Sequence, residues 1–529
     1  MTRRRALVVP AMLAFAAAFV FAFGRLEAET GHSETTAPAR AANVARGEYL
    51  VRAGGCMACH TADAARPFAG GRAMPTRFGI FYTPNITSDR ATGIGAWTDA
   101  QFVRAMREGI GRNGEHLYPT FPYTAYTRLS DGDVLAMRAY LATVPPVRYA
   151  PPPHALRFPF NWRWLMIAWN AFNFSPGRFV PDPGKRAEWN RGAYLVEALA
   201  HCGQCHTPRN VLGGLKNGER LGGATVAGWR AGNLTPERVA GIGAWRDDEL
   251  LRYLASGAAP GRAYAIGPMA EVVASGTQFL TGDDLRAMVT YLRSMPVVGA
   301  QSGARSRWGF GAAAQTDITT LDAVGAFERR SGGSGNTADK ATSSGRDRAG
   351  AEKAPDSATS SERDGAGAEN TPDSAKNPDR AKTSAVATPD VASTSHRDTA
   401  GAAKTRQTAT TADPGAASSA NPEGARLYAA ACASCHGATG ESTGGPFPSL
   451  VHDGVTAALG SMDTSNLVLV ILHGVDRETR DAPALMPAFG ASLSDANIAA
   501  LSNYLTRQFG DPRATTRAED VARLRAIAQ

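Results

Sequence analysis

Three short stretches constrain this 529-residue chain more than any other feature. They are Cys56-Met57-Ala58-Cys59-His60, Cys202-Gly203-Gln204-Cys205-His206 and Cys432-Ala433-Ser434-Cys435-His436. The chain has six cysteines, and all six lie in these copies, so none is left for a disulfide elsewhere. The copies stand 146 and 230 residues apart, far wider than the spacing of a zinc ribbon. Cys-x-x-Cys-His is the attachment signal of a c-type haem. On a helical turn the two sulfurs come to one side, where each forms a thioether with a haem vinyl, and the adjacent His lies under the iron. The pattern predicts three covalently bound haems c, held through Cys56, Cys59, Cys202, Cys205, Cys432 and Cys435, with His60, His206 and His436 as proximal ligands.

A chain of this length needs several cores, in keeping with three motifs. Its net charge of +8 fits an anionic membrane surface or an acidic protein partner. No nucleic-acid-binding module is visible, so nucleic acid is set aside as a partner. Residues 1–28 read as a signal peptide or an N-terminal anchor: Arg3, Arg4 and Arg5 precede an apolar run from Ala6 to Phe23. The positive-inside rule then places the remainder on the periplasmic side of a bacterial inner membrane, soluble or N-terminally anchored.

An internal repeat joins the first two motifs. Arg46-Gly47-Glu48-Tyr49-Leu50-Val51 precedes the first, as Arg191-Gly192-Ala193-Tyr194-Leu195-Val196 precedes the second. Asn85-Ile86-Thr87 and Gly93-Ile94-Gly95-Ala96-Trp97 recur as Asn233-Leu234-Thr235 and Gly241-Ile242-Gly243-Ala244-Trp245, at a constant offset of 148. Each unit closes with a helix behind a Ser or Thr N-cap, at Ser130, Thr281 and Ser494. The expected class is all-α, with three class I cytochrome c-type domains at 42–148, 190–300 and 421–508. An aromatic connector covers 149–189, a low-complexity linker 301–420 and a C-terminal helical tail 509–529.

From Ser331 to Ala420 there is no Leu, Ile, Met, Phe, Tyr or Trp, so this linker is expected to be disordered and the third domain tethered, not rigidly stacked. Between Phe158 and Phe179 stand Trp162, Trp164 and Trp169 among further phenylalanines. Such density reads either as a membrane-interface belt or docking surface, or as a connector packed across the seam of two domains.

A proximal His leaves one axial position, and a Met thioether there favours reduced iron. Met486, beside Pro487, and Met269, beside Pro268, lie ahead of the closing helices as ligands for the third and second haems. Met137 and Met288, on the closing helices themselves, read as core. In the first unit the repeat places Phe121 where Met269 stands, and phenylalanine cannot ligate iron. Either that iron is five-coordinate or a residue outside the register binds it: Met106 on a short helix, or Met74 or His116 in loops.

With Arg-Gly-x-Tyr-Leu-Val, Thr-x-Asn-Ile-Thr, Gly-Ile-Gly-Ala-Trp-Thr-Asp and Leu117-Tyr118-Pro119, the first 300 residues resemble the three-haem cytochrome c subunits of membrane-bound bacterial dehydrogenases of the alcohol, gluconate and aldehyde type. The third unit resembles a generic single-haem cytochrome c domain. The resemblance implies a non-catalytic electron-transfer subunit that accepts electrons from a catalytic subunit carrying PQQ, flavin or molybdenum and passes them to ubiquinone or a terminal oxidase. Two departures stand out: the long linker, and Phe121-Pro122-Tyr123 where many relatives have Met-Pro-Tyr. The Phe form resembles cytochromes paired with molybdenum-dependent hydroxylases. The competing function is a stand-alone haem enzyme, a peroxidase or reductase, acting at an open first iron. No dinucleotide fingerprint, P-loop or catalytic triad is visible.

Overall fold

Helix crossings that only glycine permits organise the structure. The computed structural model describes residues 37–299, 313, 421–442, 447–451, 462–481 and 483–527, all within one compact unit. In its first segment helix α1 (Ala37–Ala53) leads into α2 (Cys56–His60), followed by α3 (Asp99–Glu108) and the closing helix α4 (Asp131–Leu141). A connector carrying α5 (Leu165–Asn173) joins it to the second segment. There α6 (Ala187–Tyr194), α7 (Gly203–His206), α8 (Asp247–Ser256), α9 (Gly267–Ser275) and α10 (Gly282–Arg293) follow the same order, α9 being longer than the single helical turn Tyr123–Tyr126 that holds its place in the first segment. The third segment contains α11 (Pro422–Ala431), α12 (Ala433–His436), α13 (Ser465–His473), α14 (Asp495–Phe509) and α15 (Ala518–Ile527). In each segment the opening helix packs on the closing one. A Cβ on Gly47 would run into the Ala136 carbonyl, one on Gly192 into the Ala287 carbonyl, and one on Gly424 into the Ala500 carbonyl.

The expected N-caps are in place. Ser130, Thr281 and Ser494 each accept a bond from the backbone N–H three residues on, at 3.2, 3.2 and 3.1 Å. The chain is largely helical, but four small antiparallel sheets modify the all-α expectation. Ala73–Thr76 and Gly79–Tyr82 pair with each other, and the second of them also with Ala155–Leu156; the other three are two-stranded hairpins of two or three residues per strand. Among the described residues no helix is long and apolar enough to cross a membrane.

Backbone bonds recur at the sequence offset of 148. Ile94 donates to the Thr87 carbonyl and Ile242 to the Thr235 carbonyl, both at 3.0 Å; Leu117 donates to Gly109 and Ala265 to Gly257, both at 2.7 Å. One hydrophobic core runs through the first two segments, with Leu50, Leu129, Leu195, Leu199 and Met288 almost wholly buried. Polar contacts across the seam are reciprocal. Tyr49 donates to Asp284 at 2.6 Å and accepts from the Thr281 N–H, while Tyr194 donates to Asp133 at 2.5 Å and accepts from the Ser130 N–H. The same carboxylates receive Arg191 and Arg46 from their own segments.

The third segment has its own core around Tyr428, Tyr504 and Phe509, whose rings pack 5.3 to 6.1 Å apart. Contrary to the expectation of a tethered, unstacked domain, it is seated on the second segment. Arg477, 2% exposed, donates to the Ala265 carbonyl at 3.0 Å, and Thr479 donates to the Ser256 carbonyl at 3.1 Å. Asn466 exchanges two bonds with the Arg230 backbone, and Gln278 bonds the backbone of both Glu478 and Arg480. The physical reason is that linker composition fixes only the entropy of the linker, not the complementarity of the surfaces it joins. The linker itself and residues 1–28 lie outside the described residues, apart from Ala313. The tail also gains a place: α15 buries Val521 and Leu524 in the third core, and Arg525 bonds Asp495 at 2.8 Å.

The connector packs across the seam, as the second reading of its sequence expects. One face does span the seam, since Asn170 accepts from Tyr123 at 2.6 Å while Trp169 donates to the Leu212 carbonyl at 2.9 Å. The other face is exposed.

The crossings and the seam are each open to a direct test. Gly192→Ala is expected to cost about 1 to 3 kcal/mol or more by overpacking against the Ala287 carbonyl. Gly132→Ala, with open space around it, is expected to gain about 0.4 to 1 kcal/mol. Denaturant midpoints showing equal effects would refute the crossing argument. At the seam, burial works to raise the Asp284 carboxyl, but hydrogen bonds from Arg191 and Tyr49 prevail and hold its pKa below the usual carboxylate range. A carboxyl depressed on folding stabilises above its unfolded pKa, and that stabilisation is lost as pH falls through the folded value. Tyr49→Phe should therefore cost about 1.5 to 3 kcal/mol at neutral pH. The gap from wild type should close below about pH 4 as Asp284 protonates; a gap constant from neutral to acid would contradict this.

Candidate functional site

The three Cys-x-x-Cys-His stretches fold alike. Each forms one helical turn, and in the second and third the His N–H donates back to the carbonyl of the first Cys, at 3.0 and 2.9 Å. What turns the chain into them differs. Gly55 precedes Cys56 in the left-handed region at φ 63°, whereas His201 precedes Cys202 there at φ 40°. The His201 ring lies edge-on to Tyr126, 5.4 Å away, and its Nε2 reaches the Gly54 carbonyl at 3.3 Å.

All six thiols are free and partly buried. Burial pushes Cys56 and Cys202 up to about 12 and Cys432 up to about 11, so these sulfurs are neutral at ordinary pH. The three histidines share a second partner that the motif itself does not name. His60 Nδ1 meets the Pro84 carbonyl at 2.7 Å, His206 Nδ1 the Gly232 carbonyl at 2.7 Å, and His436 Nδ1 the Pro448 carbonyl at 2.9 Å. A carbonyl only accepts, so Nδ1 carries the proton and Nε2 presents its lone pair. Burial lowers each imidazole pKa and keeps the ring neutral. A backbone acceptor on the far nitrogen is the outer-shell arrangement that fixes a metal-bound imidazole. Two adjacent thiols and one pre-oriented imidazole make the donor set a c-type haem needs. The acceptors were legible in principle: Pro84 and Gly232 stand one residue before Asn85 and Asn233, at the same offset of 148.

The methionines occupy different settings. Met269 lies in the first turn of α9, half-buried against Tyr253, Ala265, Ala270 and Val273. Met486 ends the strand Ala484–Met486, where Phe489 turns back to bond the Ile471 carbonyl. Met106 is 6% exposed on α3, in the core with Phe102 and Tyr126. Phe121 packs against that core with its ring 5.6 Å from Tyr126. Met74 lies in the strand Ala73–Thr76, paired with Phe81. His116 bridges Ile110, and its buried Nδ1 has no hydrogen-bond partner among the described residues. Met137 and Met288 are buried in the core.

Helix α9 brings the three neighbourhoods together. It packs on α2, which carries the first motif, and on the strand Val475–Arg477 of the third segment. Its Glu271 pairs with Arg72 at 2.7 Å, and Arg72 also bonds the Ala58 carbonyl inside the first motif. Burial raises the Cys59 thiol; Arg72 opposes this, while Glu271 and Cys205 add to it. A cavity of about 320 Å³ opens at this junction, lined by Met57 and Phe68, by Glu271 and Phe279, and by Glu478 from the third segment.

Comparison with known proteins places these features in context. Residues 44–145 match the family described as cytochrome c, and residues 419–505 the family described as cytochrome C oxidase, cbb3-type, subunit III. The chain is 35% identical over 501 residues to the fructose dehydrogenase cytochrome subunit of Gluconobacter japonicus, covering 93% of this chain and 84% of that one. It is 31% identical over 497 residues to the gluconate 2-dehydrogenase cytochrome c subunit of Pantoea cypripedii, covering 91% and 89%. Over 256 residues it is 47% identical to a nicotinate dehydrogenase subunit of Pseudomonas putida, which is 48% of this chain but 21% of that protein.

Proposed function

The chain belongs to the family of dehydrogenase cytochrome c subunits, and from that membership we propose that it carries three haems c in three cytochrome c-type domains, the first two a tandem repeat. As such a subunit it transfers electrons received from a catalytic dehydrogenase subunit. The observation that carries the haem count is the threefold recurrence of a cysteine pair beside an imidazole whose Nδ1 is held by a backbone carbonyl. When bound, haem c supplies one-electron chemistry between ferric and ferrous iron. Cys56 and Cys59, Cys202 and Cys205, and Cys432 and Cys435 are the tethering sulfurs. His60, His206 and His436 offer Nε2 to the iron. Met269 and Met486 would offer soft thioether sulfurs to the iron at the second and third sites, and Met106 at the first.

The catalytic partner carries molybdenum, PQQ or flavin; the resemblance at Phe121-Pro122-Tyr123 supports the molybdenum branch. The acceptor is ubiquinone or a terminal oxidase, and the working location is the periplasmic side of the inner membrane, against the membrane surface. The close packing of α9 on both neighbouring segments supports relay within one body, without a swinging third domain.

Intact mass of protein matured in a competent host is expected to show three haems, with a c-type pyridine haemochrome; fewer than three would refute the count. Met106→Leu is expected to remove one haem's share of the Met-to-ferric-iron charge-transfer absorption while haem content stays constant. An unchanged spectrum in that variant, with carbon monoxide binding at one haem of the wild type, would show the first iron to be open instead.

A further inference from the structure

We propose that the connector helix α5 and the aromatic turn before it form a monotopic membrane-docking face, seated in the headgroup region of an anionic bilayer. This deepens the membrane association proposed above and rests on that reading, but its geometry is independent of electron transfer.

Helix α5 is turned inside out relative to an ordinary surface helix. Its polar side chains point inward: Asn170 bonds Tyr123 at 2.6 Å and Asn173 bonds Asn210 at 3.0 Å, while the Trp169 indole N–H donates to Leu212 at 2.9 Å. The outward stripe, at helical spacing, is Trp164, Ile167, Ala168, Ala171 and Phe172. Trp164 is 59% exposed, Ile167 58% and Phe172 84%. Ahead of the helix, Phe158 is 71% exposed and meets Trp162 edge-on at 5.0 Å, and Trp162 stacks on Trp164 at 5.8 Å. Large aromatic side chains thus stand in water while the hydrogen-bonded groups of the helix take the inward positions.

Charge and composition select the occupant. From residue 134 to residue 181 there is no Asp or Glu; of the arginines in that stretch Arg138 and Arg178 pair with Asp99 and Asp131 outside it, while Arg157 and Arg163 adjoin the exposed Phe158, Trp162 and Trp164 in sequence. Tryptophan and phenylalanine with arginine and no carboxylate is the composition of an element lying at an anionic lipid surface. At nine residues α5 is too short to span a bilayer, so it lies in the plane of the interface. The inward bonds hold it in place beforehand, so docking orders nothing new. A protein partner is the competing occupant, and the test separates the two.

A nitroxide is placed on Ala168→Cys in the full-length holoprotein, where the six native cysteines are thioethers. On vesicles of phosphatidylcholine and phosphatidylglycerol its collisions with oxygen are expected to rise and those with a water-soluble nickel chelate to fall. This local readout works even where another segment holds the protein to the vesicle. The triple variant Trp164→Ser, Ile167→Ser, Phe172→Ser is expected to abolish the nitroxide shift and to lower any partitioning that depends on this face by about 1000-fold or more, from the transfer free energy of three large apolar side chains. Haem content and dithionite reduction are expected to stay unchanged, so failure of the docking face is distinguishable from failure of the electron-transfer reading. A nitroxide that keeps its full nickel accessibility on vesicle-bound protein would overturn the proposal. So would one shielded from both collision partners only when the catalytic subunit is added, which would mark a protein interface. An equal nitroxide shift on vesicles of phosphatidylcholine alone would overturn the anionic assignment.

Discussion

The contact on which the rest of the structure depends is the approach of two helix backbones at a glycine, made once in each segment. At Gly47, Gly192 and Gly424 the opening helix comes so near the closing one that its neighbour there is a main-chain carbonyl, not a side chain. Only a residue without Cβ permits that distance. In the first two segments the arginine one position earlier then reaches the closing helix's first-turn carboxylate, Arg46 to Asp133 and Arg191 to Asp284. The tyrosine two positions later points across the seam to the other segment's carboxylate. The haem motif follows within a few turns, so its cysteines and histidine inherit an orientation set by the crossing.

A second level of order comes from hydrogen bonds that hold side chains in one state. Asp284 takes bonds from Arg191 and Tyr49 and is depressed despite its burial, so the seam is held by a charge satisfied from both segments. The proximal histidines follow the opposite logic: burial keeps them neutral, and one carbonyl apiece decides which nitrogen carries the proton. Neither effect requires a ligand, and together they leave the donor atoms arranged before one arrives.

Much of this was readable from the chain because the signals are local. Cysteine spacing, N-caps at Ser130, Thr281 and Ser494, and the offset of 148 each depend on residues close in sequence or on exact repetition. What escaped depends on distant surfaces. The seat of Arg477 against the Ala265 carbonyl joins residues 212 positions apart, and no composition argument about the linker between them reports on it. The outward turn of α5 was equally hidden, because its residues are apolar nearly all round and only the tertiary bonds of Asn170 and Asn173 choose a side. The short hairpins were missed because two or three residues give no usable alternation. Phe121 shows the converse case: the repeat located it, and the structure places its ring on Tyr126.

The reciprocal seam also governs how far assembly proceeds. An interface in which each half gives its partner what it receives has the character of an isologous dimer, and such a pairing offers every other surface in duplicate. One such duplicate is the hairpin behind the Gly109 and Gly257 turns. On the second half it is taken by Arg477, which lies 5.9 Å over the Tyr264 ring and bonds the next carbonyl. On the first half Arg163 of the connector reaches the same hairpin one position away, bonding the His116 carbonyl with its guanidinium 4.7 Å over Tyr118. Two unrelated pieces of the chain thus cap two related faces with the same residue type. The reciprocal seam would leave both copies of that hairpin bare, and each is covered instead by a different piece of the same chain.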